Sequence, residues 1–217
     1  MTDIELASIP GGTLQLVDAR RKIRRTEQLE PFEIGVYPVT EALVAELIGV
    51  TAEHPRRPAV ELSWLRAVRL CNAASEWEGL DLAYGVDGED VVWHRDSEGY
   101  RLPSEAEWEF ACRAGSTGPV YGPLGEVAWS AADGVGSPQD VGARHPNLFG
   151  LFDTLGNVSE WCFDLLDPDD DPARGSRVFR GGGFADDAWN VRADVRRGAP
   201  PRSTHDDVGL RLARSAE

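Results

Sequence analysis

Basic residues are scarce in this 217-residue chain: 22 lysines and arginines stand against 37 aspartates and glutamates, a formal net charge of −15. So acidic a molecule repels phosphate backbones and anionic lipid heads, which excludes nucleic-acid or membrane binding through its overall field. A basic protein or peptide, or divalent cations, remain as partners matched in charge, and plain solubility explains the same imbalance. Cysteine is also scarce, with Cys71, Cys112 and Cys162 as the three. An odd, widely spaced set argues against a disulfide framework. Cys71 and Cys112 fall in apolar helical patterns, where a small buried thiol is common. Histidine is limited to His54, His94, His145 and His205, too dispersed to write a local metal motif. No apolar run reaches membrane-spanning length, and the best, Ala42 to Val50, is interrupted by Glu46. Met1-Thr2-Asp3-Ile4-Glu5 shows no basic region followed by an apolar stretch, so no signal peptide is expected and a cytoplasmic location is. In that compartment the sequon Asn157-Val158-Ser159 has no glycan role.

Glycine (23), proline (14) and tryptophan (7) are plentiful instead. That mix predicts many turns and loops pinned by large aromatic anchors. The length suits a single domain over residues 1–217, and 41% apolar residues suffice for a core. Thr13 to Val17 and Phe32 to Val39 read as strands. Thr40 caps a short helix running through Ile48. After Ser63, Trp64, Ala67, Val68, Cys71 and Ala74 recur at helical spacing and predict a second helix with a buried stripe. A hairpin is expected around Asp87-Gly88, with Val91-Val92-Trp93 as a strand. Ser104-Glu105-Ala106-Glu107 is a capping box opening a third helix, with Trp108, Ala111 and Cys112 facing inward. Beyond Gly115 no long helix is expected. Asp164 to Asp171 reads as a solvated acidic loop. The C-terminal part is arginine-rich, a density that suits bracing of carbonyls and carboxylates.

Three segments carry a family resemblance. They are Gly99-Tyr100-Arg101-Leu102-Pro103-Ser104-Glu105-Ala106-Glu107-Trp108-Glu109, Pro146-Asn147-Leu148-Phe149-Gly150-Leu151-Phe152-Asp153 running into Leu155-Gly156-Asn157-Val158-Ser159-Glu160-Trp161, and Arg177-Val178-Phe179-Arg180-Gly181-Gly182-Gly183-Phe184, closed by Val208-Gly209-Leu210-Arg211. In this order they resemble the formylglycine-generating enzyme or sulfatase-modifying factor family, over nearly the whole chain. The resemblance implies an α+β, C-type-lectin-like fold with short elements and much loop.

It also implies a calcium site. Calcium takes six to eight hard oxygens. Asp153 and Glu160 match the family's side-chain ligands, and Gly156 and Val158 its backbone ligands; the spacing alone carries little weight. A structural staple is the expected role. The family's second calcium site is not evident in Val127 to Val141. The catalytic copper of formylglycine-generating enzyme is held by two cysteines after the glycine-rich strand, and soft thiolates suit Cu(I). Here that stretch, Gly182 to Arg192, has no cysteine, so no catalytic residues carry over. Gly181-Gly182-Gly183 lacks the Lys-Ser/Thr of a phosphate loop and reads as a place of close backbone approach. Two functional readings remain. The first is a non-catalytic binding domain, of immunity type or ligand-binding, using Phe184, Asp186, Asp187, Trp189, Asn190, Arg192, Arg202, His205 and Asp206, the aromatic, acidic and arginine mixture favoured at interfaces. The second is a non-haem-iron oxidase or oxygenase acting on a peptide or small molecule, for which His205-Asp206-Asp207 and Asp186-Asp187 would have to meet.

Overall fold

A computed structural model describes residues 4–18 and 21–216; the N-terminal reading at Met1 to Asp3 therefore falls outside the described residues. Among the described residues four small sheets and four α-helices are joined by long irregular connections. Strand β4 (Phe32–Gly35) is central in a three-stranded sheet, with β1 (Leu6–Ile9) and β11 (Ala213–Ser215) antiparallel on either side. β2 (Gly12–Asp18) and β3 (Ile23–Leu29) form a hairpin, as do β5 (Tyr84–Asp87) and β6 (Asp90–Trp93). The largest sheet has the order β10-β7-β8-β9. In it β7 (Ser159–Leu165) and β8 (Arg177–Arg180) pair antiparallel, β9 (Arg196–Ala199) extends β8, and β10 (Val208–Leu210) runs parallel to β7. Among the described residues no helix is long and apolar enough to cross a membrane.

The predicted helices form where their caps stand. Thr40 accepts from the Leu43 amide and opens α1 (Glu41–Ile48), and Ser63 accepts from the Arg66 amide and opens α2 (Trp64–Glu78). The stripe Trp64, Ala67, Val68, Cys71 and Ala74 is buried in the main core. At α3 (Glu105–Arg113) the capping box is complete, because Ser104 accepts from the Glu107 amide and Glu107 accepts from the Ser104 amide at 2.7 Å. Arg101 donates to both oxygens of Glu107 at 2.7 Å, fixing the acid in its capping pose. Such a cap contributes about 1 kcal/mol. Past α3 one short helix follows, α4 (Leu124–Val127), with a 3-10 turn at Ala131–Asp133.

Indole N–H groups tie α2 to the large sheet. Trp64 donates to the Cys162 carbonyl at 2.9 Å, and Trp161 donates to the Leu62 carbonyl at 2.8 Å. Asn147 spends its whole amide on one corner. It donates to the Ala111 and Cys112 carbonyls at the end of α3 and accepts from the Phe149 and Leu151 amides. The Pro-Asn motif is thus the C-terminal stop of α3.

Two expectations need correction. Phe32 to Val39 is not one strand: β4 ends at Gly35. The Val36 amide still bonds to the Glu5 carbonyl beside β1, but the Val39 amide turns to the Leu210 carbonyl, and Pro38 has no amide hydrogen. Asp164 to Asp171 is not a solvated loop throughout. Asp164 lies in β7 and accepts from the first amide of α3, that of Glu105, at 2.6 Å, while Asp167 and Asp169 pair with Arg21. Strands β1, β3 and β7 carry no clear period in the sequence.

Candidate functional site

The C-terminal arginines fulfil the bracing expected of them. Arg211 is fully buried and donates to the Gly35, Val36 and Phe152 carbonyls at 2.7–2.9 Å. Its remaining donors grip Glu160, with Nη2 at 2.6 Å from Oε1. Trp108 Nε1 donates to the other oxygen of Glu160 at 2.7 Å. Arg180, also buried, lies between Glu105 and Glu109 of α3 and donates to the Ala193 carbonyl.

These arginines fix the base of the loop that follows β8. Gly181 has φ +100°, and a Cβ there would stand 2.9 Å from the Thr154 carbonyl oxygen. The backbones approach as closely as the glycine run predicts, although the run lies just beyond the strand. Phe184 donates its amide to the Asn157 carbonyl and is buried. The structure thus places Phe184 beneath the surface, unlike the exposed members of the expected recognition set. Asp186 accepts from the Gly183 amide and is gripped by both Nη atoms of Arg197, which also donates to Ser159 Oγ at 3.0 Å. Its carbonyl accepts from the Ala131 amide. The crest of the loop is Asp187, Trp189 and Asn190, all exposed, with the Trp189 ring 78% exposed. Arg192 pairs with Asp194 at 3.0 Å and lies 5.7 Å from the Trp189 ring centroid.

The structure brings part of the second expected segment to this loop. Asp186, Asp206, His205 and Arg197 all act electrostatically on Asp207, whose carboxyl is raised above the ordinary aspartate range, chiefly by burial. The ring of His205 lies 6.0 Å from that of Phe179, and its buried Nε2 has no hydrogen-bond partner. Asp206 is exposed. Arg202 is committed elsewhere, to Glu89 in the β5–β6 turn. Asp207 is the member the sequence reading left outside the recognition set, and its adjacency to His205 and Asp206 was the available signal. Among the described residues no three histidine, cysteine, aspartate or glutamate side chains gather where they could hold a metal ion.

The four positions expected to hold calcium fall into two environments. Asp153 is buried and has one neutral donor for each oxygen, the Gly142 amide at 2.8 Å and the Asn157 amide group at 3.3 Å. Burial raises its pKa above the ordinary range. Gly156, at φ +70°, presses against Trp129, whose carbonyl oxygen would lie 2.2 Å from any Cβ. Val158 is fully buried just before β7. Glu160 differs, because Arg211 and Trp108 already occupy both of its oxygens and neutralise it. Of the two expected carboxylate ligands, Asp153 thus has only neutral hydrogen-bond donors, whereas Glu160 is already paired with Arg211.

All three cysteines are free and buried. Burial pushes the Cys112 thiol up to about 12 and raises those of Cys71 and Cys162 well above the ordinary thiol range. None presents a thiolate near the loop that follows β8.

The model of the sulfatase-modifying factor enzyme 1-like domain matches residues 3–216. The chain is 27% identical over 227 residues to the chaperone protein LppX of Paenibacillus barcinonensis, covering 86% of this chain and 81% of that protein. It is 32% identical over 219 residues to inactive C-alpha-formylglycine-generating enzyme 2 of Mus musculus, covering 90% of this chain and 62% of that protein. Among solved structures, Treponema denticola variable protein 1 superposes with a TM-score of 0.89 at 26% identity, covering 97% of this chain and 95% of that one. The chain belongs to the sulfatase-modifying factor enzyme 1-like family, and its few helices and many short strands form that family's C-type-lectin-like fold.

Proposed function

We propose that this protein is a non-catalytic binding domain whose recognition surface is the loop after β8. One observation carries the reading: where the sequence has no cysteine after the glycine run, the loop instead presents a 78% exposed tryptophan, Trp189, on a base held by ion pairs. An exposed indole on a rigid base supplies contact area with little ordering cost, as interface hot spots do. Asp187 and Asn190 flank it, and Arg192, Asp206 and His205 complete the surface. The acidic chain steers a basic protein or peptide toward that surface. Relatives named as a chaperone, an inactive enzyme and a variable protein lend support.

Calcium enters this reading as a structural ion. Asp153, with the Gly156 and Val158 carbonyl oxygens, supplies hard donors, and a buried carboxylate without a cationic hydrogen-bond partner gains from a cation beside it. Glu160 would have to share its charge with Arg211.

The test compares Trp189→Ala and Asp187→Lys with the parent in capture of a panel of basic peptides, measured by surface plasmon resonance. The reading expects a peptide bound by the parent and lost in both variants, with melting unchanged. Retained binding in both variants would move recognition off this loop. Oxygen consumption with a thiol peptide, in protein loaded with iron or copper, would favour an oxidase instead.

A further inference from the structure

A cavity of about 580 Å³ lies away from that loop, between the β2–β3 hairpin, β6, β7 and the 168–172 connection. The volume is in the range of small-molecule sites. Its rim is unusually apolar. Val17, Ile23 and Val92 are 44%, 45% and 62% exposed, and all three line this one opening. Solitary exposed valines need no explanation, but a cluster around a concavity marks a surface that is covered in use. Trp93 and Phe163 form the aromatic wall, edge to face with centroids 5.0 Å apart.

The charge inside runs against that of the whole chain. Five arginines and three carboxylates line the cavity, on a molecule of net charge −15. Most are spent. Arg21 pairs with Asp167 and Asp169, Arg25 with Glu27, and Arg196 with Glu105 and Asp18. Two arginines have no carboxylate partner among the described residues. Arg95 is exposed and lies over the Trp93 ring, 4.3 Å from its centroid. Arg177 is 4% exposed and stacks 3.9 Å over the Trp64 ring. It donates only to the Phe163 and Pro172 carbonyls, and its Nε has no partner. Burial holds its pKa down at about 10, because desolvation of the cation outweighs the charge of the nearby Asp164. The third carboxylate, Asp164, acts on Arg177 from a distance but forms no ion pair with it; it accepts from the Glu105 amide instead.

We propose that this cavity binds a small amphipathic organic anion, its apolar body lying on Val92, Trp93 and Phe163 and its anionic head facing Arg177 and Arg95. A buried unpaired guanidinium beside an apolar wall is costly unless an anion completes it. The aromatic wall and apolar rim exclude a bare inorganic ion as sufficient occupant.

The experiment is calorimetric titration of the full chain with decanoate, and with decanol and sodium sulfate as the neutral and the inorganic arms. Decanoate is expected to bind one site at least about tenfold more tightly than either. Arg95→Gln and Val92→Asp, both at exposed positions, are each expected to weaken decanoate roughly three- to tenfold without changing the circular dichroism spectrum. The indole N–H resonance of Trp93 is expected to move on addition of decanoate. Trp189→Ala leaves decanoate binding unchanged, so failure of this site and failure of the recognition loop are separable. Absence of decanoate binding, equal affinity for decanol, tightest binding by sulfate, or indifference to both cavity variants would each overturn the assignment.

Discussion

Arg180→Met tests the most heavily charged part of the core. The Arg180 side chain is 0% exposed and lies between Glu105 at 1% and Glu109 at 4%. Two more cations reach the same acids: Arg113 is 2.8 Å from Glu109, and Arg196 bridges Glu105 and Asp18, at 2.6 Å from the latter. Three cations thus balance three anions. Methionine fills much of the same space but leaves two cations facing three carboxylates, of which Glu105 and Glu109 are buried. Removing one member of a buried pair typically costs about 3–5 kcal/mol. At about 2–4 °C per kcal/mol for a chain of this size, the melting temperature should fall by roughly 6–20 °C. Urea denaturation followed by tryptophan fluorescence and circular dichroism gives the free energy directly. Arg180→Met/Glu109→Gln restores the count, and it should be more stable than Arg180→Met alone. A loss under about 1 kcal/mol, or a double variant whose losses simply add, would show that solvent or relaxation compensates these charges and would refute the argument.

The three buried cysteines should ignore Ellman's reagent in the native protein and all react in urea; a fast native phase would contradict their raised pKa values. Asp164 has a folded pKa above its unfolded one, so its contribution is full below the unfolded value and is lost as pH rises through the folded value. Asp164→Asn avoids that loss, so its stability relative to the parent should be greatest near about pH 7 and decline toward about pH 4; a flat difference across that span would remove the buried charge as the cause. If calcium sits at Asp153, adding it to chelator-treated protein should raise the melting temperature, and Asp153→Asn should abolish the rise. An identical melting temperature with calcium and with chelator would remove the ion from the account.

Much of the local architecture was legible because short-range chemistry decides it. Thr40, Ser63 and Ser104 cap the helices they were expected to cap, and the buried stripe of α2 follows its period. Strands β1, β3 and β7 were not legible, because their residues obey no period of two, even though the partner of β3 is the adjacent strand β2. Glu160 shows the limit most clearly. The sequence marks it as an acid near a glycine turn, but only the fold brings Arg211, 51 residues away, onto both its oxygens. Phe184 shows a different limit: an aromatic beside two aspartates reads as surface, yet its backbone amide donates a hydrogen bond to the Asn157 carbonyl and its side chain is buried. Arg177, in the cavity, could be marked as a bracing arginine from sequence but not as one without a counter-ion, since that depends on which carboxylates fail to arrive.

The pairing of β4 with β11 has a consequence for how the molecule is made. Residues 32–35 remain with one open edge until residues 213–215 arrive, and Arg211 enters the centre of the structure from the same late segment. Loop closure over so long a separation is slow. The first sheet therefore cannot close until residues 211–215 have been made and brought back to it. A deletion of only residues 213–215 should consequently be felt in the sheet whose other strands were synthesised first.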